Sequence, residues 1–334
     1  MLLIDRKGDY SVALLNALGG KDYVALLAGE LSAATGKTAV PTSTLDGAVH
    51  TALYLCGVKS GDYVFVPTFT FYSYLASVTN IGAVPVFLDC DPRARCVSPL
   101  ALETALVWAE LQNKPPKAVI VDNAFGSVAD YDRLIPMCKA WNVPVIELCA
   151  DAYCGTFGGK PCGANGDYGV YGFGGAGCGA VVCGDDSEKA RQFARYEYTD
   201  GETYDYRLNN YSAAIACAYI RVAPKIHDRA AANLAALLST LDCITPPVNG
   251  DAATYALCKT DRHRQISAAG FNVIKPFLSH TLEKYSGCQY FEHEQGFSVS
   301  ESLLGHCFID LDFSAFKRFK LISLLKSESA AGNN

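Results

Sequence analysis

No basic cluster, no membrane-length apolar run, no paired C-x-x-C and no internal repeat occurs in this chain. Each absence closes off a class of function. With a net charge of −6 and no cationic patch, nucleic acid and anionic membrane surfaces are poor partners. A spanning helix needs about 20 consecutive apolar residues, and none of that length is present, so no membrane partner is expected. The N-terminus, MLLIDRKGDY, meets Asp5 and Arg6 too early for a secretory leader, which points to a cytoplasmic protein. Cysteine is not scarce: there are 14, spread along the chain, with Cys56, Cys183 and Cys217 inside apolar segments. They are expected to be reduced, buried thiols. Cys149, Cys154 and Cys162 lie close together without a neighbouring histidine, so no metal site is expected.

What is present is the balance of a globular chain. Half of the 334 residues are hydrophobic and 19% are charged, enough for one large core and a smaller lobe. Apolar residues at helical spacing over 9–36 predict two helices broken at Gly19-Gly20. Thr42, Ser43 and Thr44 offer N-caps to a helix that Gly57 closes. From there strands over Asp62–Val66, Val84–Asp89, Lys117–Asp122 and Val143–Leu148 alternate with helices over Tyr72–Asn80, Pro99–Gln112 and Asp130–Trp141. This α/β alternation predicts a mostly parallel sheet covered on both faces. Ligands bind such sheets where strand C-terminal ends meet helix N-termini, so the loops Thr42–Gly47, Pro67–Tyr72, Asp122–Gly126 and Leu148–Tyr153 are expected to carry a site. Further helices are predicted over Glu188–Tyr198 and from Tyr211 to about Leu241. Pro246-Pro247 and Asn249-Gly250 then mark a boundary. The expected organisation is a large domain over 1–245, a small C-terminal α/β domain over 246–327, with a strand at Leu303–Leu311, and a disordered tail over 328–334.

The stretch Gly166–Asp186 reads as two strands, Tyr168–Phe173 and Ala180–Cys183, joined by a turn crowded with glycine. Backbone there is free to approach a ligand closely. Gly172-Phe173-Gly174-Gly175-Ala176-Gly177 formally matches G-x-G-x-x-G. A dinucleotide fingerprint, however, leads into a helix, and this one leads into a second strand. A Rossmann site is not expected.

Four segments carry a wider likeness: GDYVFVPTFTFYSYLASVTNIGAVPVFLDCDP (61–92), AVIVDNAFGSVADYDRLIPMCKAWNVPVIE (118–147), GTFGGKPCGANGDYGVYGF (155–173) and YRLNNYSAAIACAYI (206–220). In order and spacing they resemble the DegT/DnrJ/EryC1/StrS family, the fold-type-I pyridoxal-phosphate (PLP) aminotransferases of nucleotide-sugar biosynthesis, over about residues 22 to 325. The resemblance implies a seven-stranded, mostly parallel large domain, a small C-terminal domain, and a homodimer with active sites at the subunit interface. It also implies functional positions that this chain alters. The family lysine that holds PLP covalently falls at Gly177 or is deleted; no lysine occurs between Lys160 and Lys189, and no histidine within 164–190. The acid that pairs with the pyridine nitrogen falls at Leu148, and Asp151 stands where the family has Gln or His beside the phenolic oxygen. The phosphate cup falls at Leu45 and Asp46, and its strand serine at Gly172. The partner-subunit Asn falls at Asp205, ahead of Arg207, while the stacking aromatic is kept as Phe71.

These departures give the expectation that PLP is lost. The chain is then a non-transaminating homologue, a binding or partner subunit in nucleotide-sugar, polysaccharide or natural-product biosynthesis, forming a homodimer or a heterodimer with an active paralogue. Two alternatives stand beside it. One is a repurposed, PLP-independent enzyme with Asp151 and Asp46 as acid/base groups, gathered in one cleft with Tyr153, Asp205, Arg207, Cys149, Cys154 and Cys178. The other is a genuine PLP-dependent sugar aminotransferase with a displaced lysine. The resemblance implies a nucleotide-sugar ligand, with Tyr153, Tyr204, Tyr206 and Arg207 as contacts. Plainer readings are Asp46 as a helix cap, Cys178 as an inert turn thiol, His50 as structural, and Phe71 with Tyr198, Tyr204 and Tyr206 as interface packing. His280 and His293 fall where the family places substrate contacts.

Overall fold

The computed structural model describes residues 20–326 apart from 71, 93, 195–203, 247, 249–251, 253, 261 and 276–297. Seven helices surround the first sheet: α1 (Tyr23–Thr35), α2 (Leu45–Leu55), α3 (Tyr72–Asn80), α4 (Pro99–Leu111), α5 (Tyr131–Ala140), α6 (Ser187–Ala194) and α7 (Asn210–Leu238). Local chemistry sets their ends. Asp22 caps α1 by accepting from the Ala25 N–H at 2.9 Å, and Gly36, at φ 71°, closes it in the left-handed region. Ser98 caps α4 ahead of Pro99, and Asn209 caps α7 by accepting from the Ser212 N–H at 2.9 Å.

The sheet orders β1 (Ala39–Thr42), β9 (Cys178–Val182), β8 (Tyr168–Phe173), β5 (Val145–Leu148), β4 (Ala118–Asp122), β2 (Tyr63–Pro67) and β3 (Val84–Leu88). Strand β9 runs antiparallel to both neighbours, and the other described pairings are parallel. This is the expected α/β architecture. One face is buried under α1, α4, α5 and the first half of α7, the other under α2, α3 and α6. Beneath the C-terminal end of β5, the fully buried Glu147 carboxylate accepts from the Asn123 and Asn165 side-chain amides and from the Asn165 and Gly166 N–H groups at 2.9–3.2 Å. Buried charge is tolerable when its oxygens are occupied in this way.

After a two-stranded hairpin of β6 (Thr156–Phe157) and β7 (Lys160–Pro161), a second sheet orders β10 (Ile244–Thr245), β11 (Tyr255–Lys259), β13 (His306–Asp310) and β12 (Val273–Ile274), all antiparallel. Helices α8 (His263–Ala268), α9 (Ser298–Ser302) and α10 (Ala315–Lys326) accompany it. Helix α7 joins the two cores: Ala216, Cys217 and Ile220 pack into the first, Ala230, Leu234 and Leu237 into the second. The strand expected over Leu303–Leu311 starts at His306, because Leu303–Gly305 winds into a 3-10 turn. The helix expected over Glu188–Tyr198 is described only as Ser187–Ala194. Phe71, Tyr198, His280, His293 and the segments 1–19 and 328–334 lie outside the described residues. Among the described residues no helix is long and apolar enough to cross a membrane.

Candidate functional site

The C-terminal ends of β5 and β8 and the start of α2 enclose a cavity of about 330 Å³, lined among others by Leu45, Tyr74, Asp151, Gly172, Gly177 and Cys178. Three of the regions singled out in the sequence meet here. Thr44 takes the cap of α2, accepting from the Gly47 N–H at 2.9 Å, so Asp46 is not the cap but a first-turn residue, its carboxyl pKa raised by burial. Leu45 reaches over Gly172, where a Cβ would lie 2.9 Å from Leu45 Cδ2. At Gly179 a Cβ would lie 2.8 Å from Leu45 Cα and 2.9 Å from the Thr44 oxygen. These two glycines therefore let α2 start directly on the strand pair. Gly177 holds the turn in the left-handed region at φ 64°.

Beside this cavity lies a group of acids. Burial pushes Asp122 up to about 8, opposed by the hydrogen bond that the Thr70 hydroxyl donates at 2.5 Å and reinforced by the Asp151 charge. Burial pushes Asp151 up to about 6 against the Phe125 N–H, which donates to it at 3.2 Å. The Tyr74 hydroxyl is driven well above its ordinary value by burial and by the charges of Asp122, Asp151 and Asp46. Near neutrality the pair thus offers a protonated Asp122 and a mostly ionised Asp151, a donor and an acceptor held at different affinities. Phe125 is held at φ 55°, uncommon for a residue with a side chain. Its ring stacks on Phe308 at 3.9 Å, so the second sheet helps to fix the amide that orients Asp151.

Asp151 also borders a second cavity of about 190 Å³, with Tyr153, Cys154, Tyr219, Tyr255 and Asp310. Asp122 opens one of the loops expected to carry a site, but neither its side chain nor that of Tyr74 is among the candidates read from the sequence. A carboxylate ending the apolar run AVIVD was the available signal for Asp122.

Apart from Cys178, which lines the first cavity, the remaining site positions scatter. Leu148 is 1% exposed and packs into the core with Ile146 and Val170. Cys149 is buried, its thiol pushed well up by burial, and Cys178 is buried with its thiol pushed to about 11, which agrees with inert thiols. Asp205 and Arg207 do not join the acids. They pair with each other at 2.6–2.8 Å on the surface, and that hydrogen bonding draws Asp205 down to about 2. Tyr204 and Tyr206 pack on α2 as an aromatic cluster with His50 and Phe193. Tyr206 OH meets His50 Nδ1 at 2.8 Å, and its backbone carbonyl accepts from Ser43 N–H at 2.8 Å. Of the residues expected to bind substrate, only Tyr153 lines one of these two cavities.

The DegT/DnrJ/EryC1/StrS aminotransferase family profile matches residues 20–256. A putative pyridoxal phosphate-dependent aminotransferase, EpsN of Bacillus subtilis (strain 168), is 36% identical over 201 residues, 56% of this chain and 52% of that protein; the match thus spans about half the relative's length. GDP-perosamine synthase of Escherichia coli O157:H7 is 28% identical over 241 residues, 68% of this chain and 61% of that protein. The solved putative sugar aminotransferase Spr1654 of Streptococcus pneumoniae, in its PLP form, superposes with a TM-score of 0.81 at 18% identity, covering 98% of this chain and 97% of that one.

These relatives overturn the expectation that PLP is lost. The family and its solved neighbours are PLP-dependent, and the pneumococcal protein is known in both PLP and PMP forms. The cleft is accordingly a PLP-family cleft. Its described residues fit that group incompletely. No lining residue of the cavity carries an amine, and Leu45 packs so closely on Gly172 that a side chain there would collide with it. By themselves they do not hold PLP covalently.

Proposed function

The chain belongs to the DegT/DnrJ/EryC1/StrS aminotransferase family, and we propose that it serves a nucleotide-sugar or natural-product pathway as a sugar aminotransferase whose lysine stands outside the glycine turn. The observation that supports this most is the position of the cavity, at the C-terminal ends of β5 and β8 against the N-terminus of α2. Open α/β sheets bind ligands at such strand ends. In this reading Asp151 holds and exchanges a proton at the cavity wall, the buried Asp122 keeps a second proton that the Asp151 charge helps to hold, and Tyr74 closes the cavity from α3. The amine nucleophile comes from a lysine elsewhere in the chain or from a second subunit.

The test is an absorbance titration of the purified chain with PLP, followed by borohydride reduction and peptide mapping. A visible band with a reduced adduct on an identified lysine supports the proposal. No band and no adduct would overturn it for the chain alone. A second reading, a ligand-binding subunit paired with a catalytic paralogue, would then lead. It is favoured by Leu45 packed over Gly172 and by a cavity lining without an amine. Binding of nucleotide sugars by the chain, with transamination only when a second, catalytic chain is added, would support it.

A further inference from the structure

Far from the cleft, the second sheet gathers three thiols. Cys258 lies on β11, with Cys307 opposite it on β13 and Ile244 of β10 opposite it on the other side. Cys243 immediately precedes β10 and its carbonyl accepts from the Lys259 N–H at 2.8 Å. Cys243, just outside the strand and released from its alternation, places its Sγ 3.6 Å from Cys258 Sγ. Cys258 and Cys307 are buried, whereas Cys243 is partly exposed. Among the described residues no group of His, Cys, Asp and Glu is placed to hold a metal ion, so metal ligation does not account for the cluster. Hydrogen bonding to Cys243 and Cys307, with burial added, holds the Cys258 thiol far above its ordinary range, so Cys258 is not the sulfur that a peroxide oxidises first and it gives up its proton only in the second, slower step.

We infer that Cys243 and Cys258 are an oxidative modification site, a dithiol that a peroxide converts to a disulfide. The partly exposed Cys243 reacts first: its sulfur attacks one peroxide oxygen, the O–O bond breaks, and Cys243 sulfenic acid and water result. Cys258 sulfur then displaces the sulfenic oxygen, which leaves as a second water carrying the Cys258 proton. Both sulfurs are oxidised and one hydrogen peroxide is reduced to two waters. The sulfurs must close by about 1.6 Å to reach disulfide length, a shift available to Cys243, which sits just outside the strand. The bond would tie the segment after α7 to the middle of the second sheet.

The test treats the full chain with hydrogen peroxide, blocks remaining thiols and cleaves before aspartate. Cys243 then falls in peptide 242–250 and Cys258 in peptide 251–260. The expected product is these two peptides joined by a reducible bond, two hydrogens lighter than their sum. The join should persist in Cys307→Ser and vanish in Cys243→Ser. Cys258 joined instead to the peptide 261–309, which holds Cys288 and Cys307, Cys243 oxidised to sulfinic acid without a join, or both thiols still alkylated after peroxide would each overturn the assignment.

Discussion

Replacing Gly179 with alanine probes the contact on which the cleft is built. A Cβ there would lie 2.8 Å from Leu45 Cα, 2.9 Å from the Thr44 oxygen and 3.0 Å from the Tyr171 oxygen. All three are backbone atoms, so no side-chain rotation relieves them; α2 or β9 has to move. Overpacking of this kind costs about 1–3 kcal/mol, and the upper end applies when backbone must shift. Against it stands the smaller entropy of an unfolded chain with alanine in place of glycine, worth about 0.4–1 kcal/mol. The expected net loss is about 2 kcal/mol, read in urea as a lower midpoint with an unchanged slope. Gly29→Ala is the control: it lies in α1 with nothing within 4 Å of its would-be Cβ and should stabilise by about 0.5–1 kcal/mol. If Gly179→Ala stays within about 0.5 kcal/mol of the parent, the usual range of a neutral surface change, the direct seating of α2 on β9 is wrong.

Gly172→Ser should be destabilising alone and better tolerated with Leu45→Ala, a coupling of about 0.5–3 kcal/mol in a double-mutant cycle; strictly additive effects would refute the contact. Asp122 binds its proton up to about pH 8 in the fold, whereas an unfolded carboxyl releases it near 3.9. Between these values the native state holds more protons than the unfolded state, so this group's contribution to stability falls as pH rises, by at most about 1.4 kcal/mol per unit. Asp122→Asn should flatten that slope in urea midpoints measured from pH 5 to 8, and an unchanged slope would count against the buried neutral acid. Glu147→Ala strips the buried partners of the Asn165 and Gly166 N–H groups and should cost about 3 kcal/mol in the same assay.

The large sheet was legible because its inner strands are continuous apolar runs, YVFVP in β2 and AVIVD in β4, a pattern that burial on both faces requires. Strand β1, AVPT, was not, since four residues with a proline carry no such pattern. The two-residue strands β10 and β12 were beyond reach for the same reason. At the site, loop positions were readable from the alternation of strands and helices, but the pairing of side chains was not. Arg207 satisfies Asp205 two residues away, and Tyr206 is engaged by His50 from 156 residues off. Asp122 owes its raised affinity for a proton to burial and the Asp151 charge, against the pull of the hydrogen bond that the Thr70 hydroxyl donates. The thiol pair in the second sheet, likewise, depends on a strand register that Cys243 and Cys258 do not announce.

Asp151 stands in the wall of both cavities, and a single carboxylate has one charge to share. A cationic ligand in either space would hold Asp151 ionised, and one that needs it protonated would do the reverse. With its affinity for a proton near 6, either change is within reach of ordinary conditions. Ligands of the two cavities that engage this carboxylate are therefore linked to one another and to pH. By reciprocity the effect of the first on the second equals that of the second on the first.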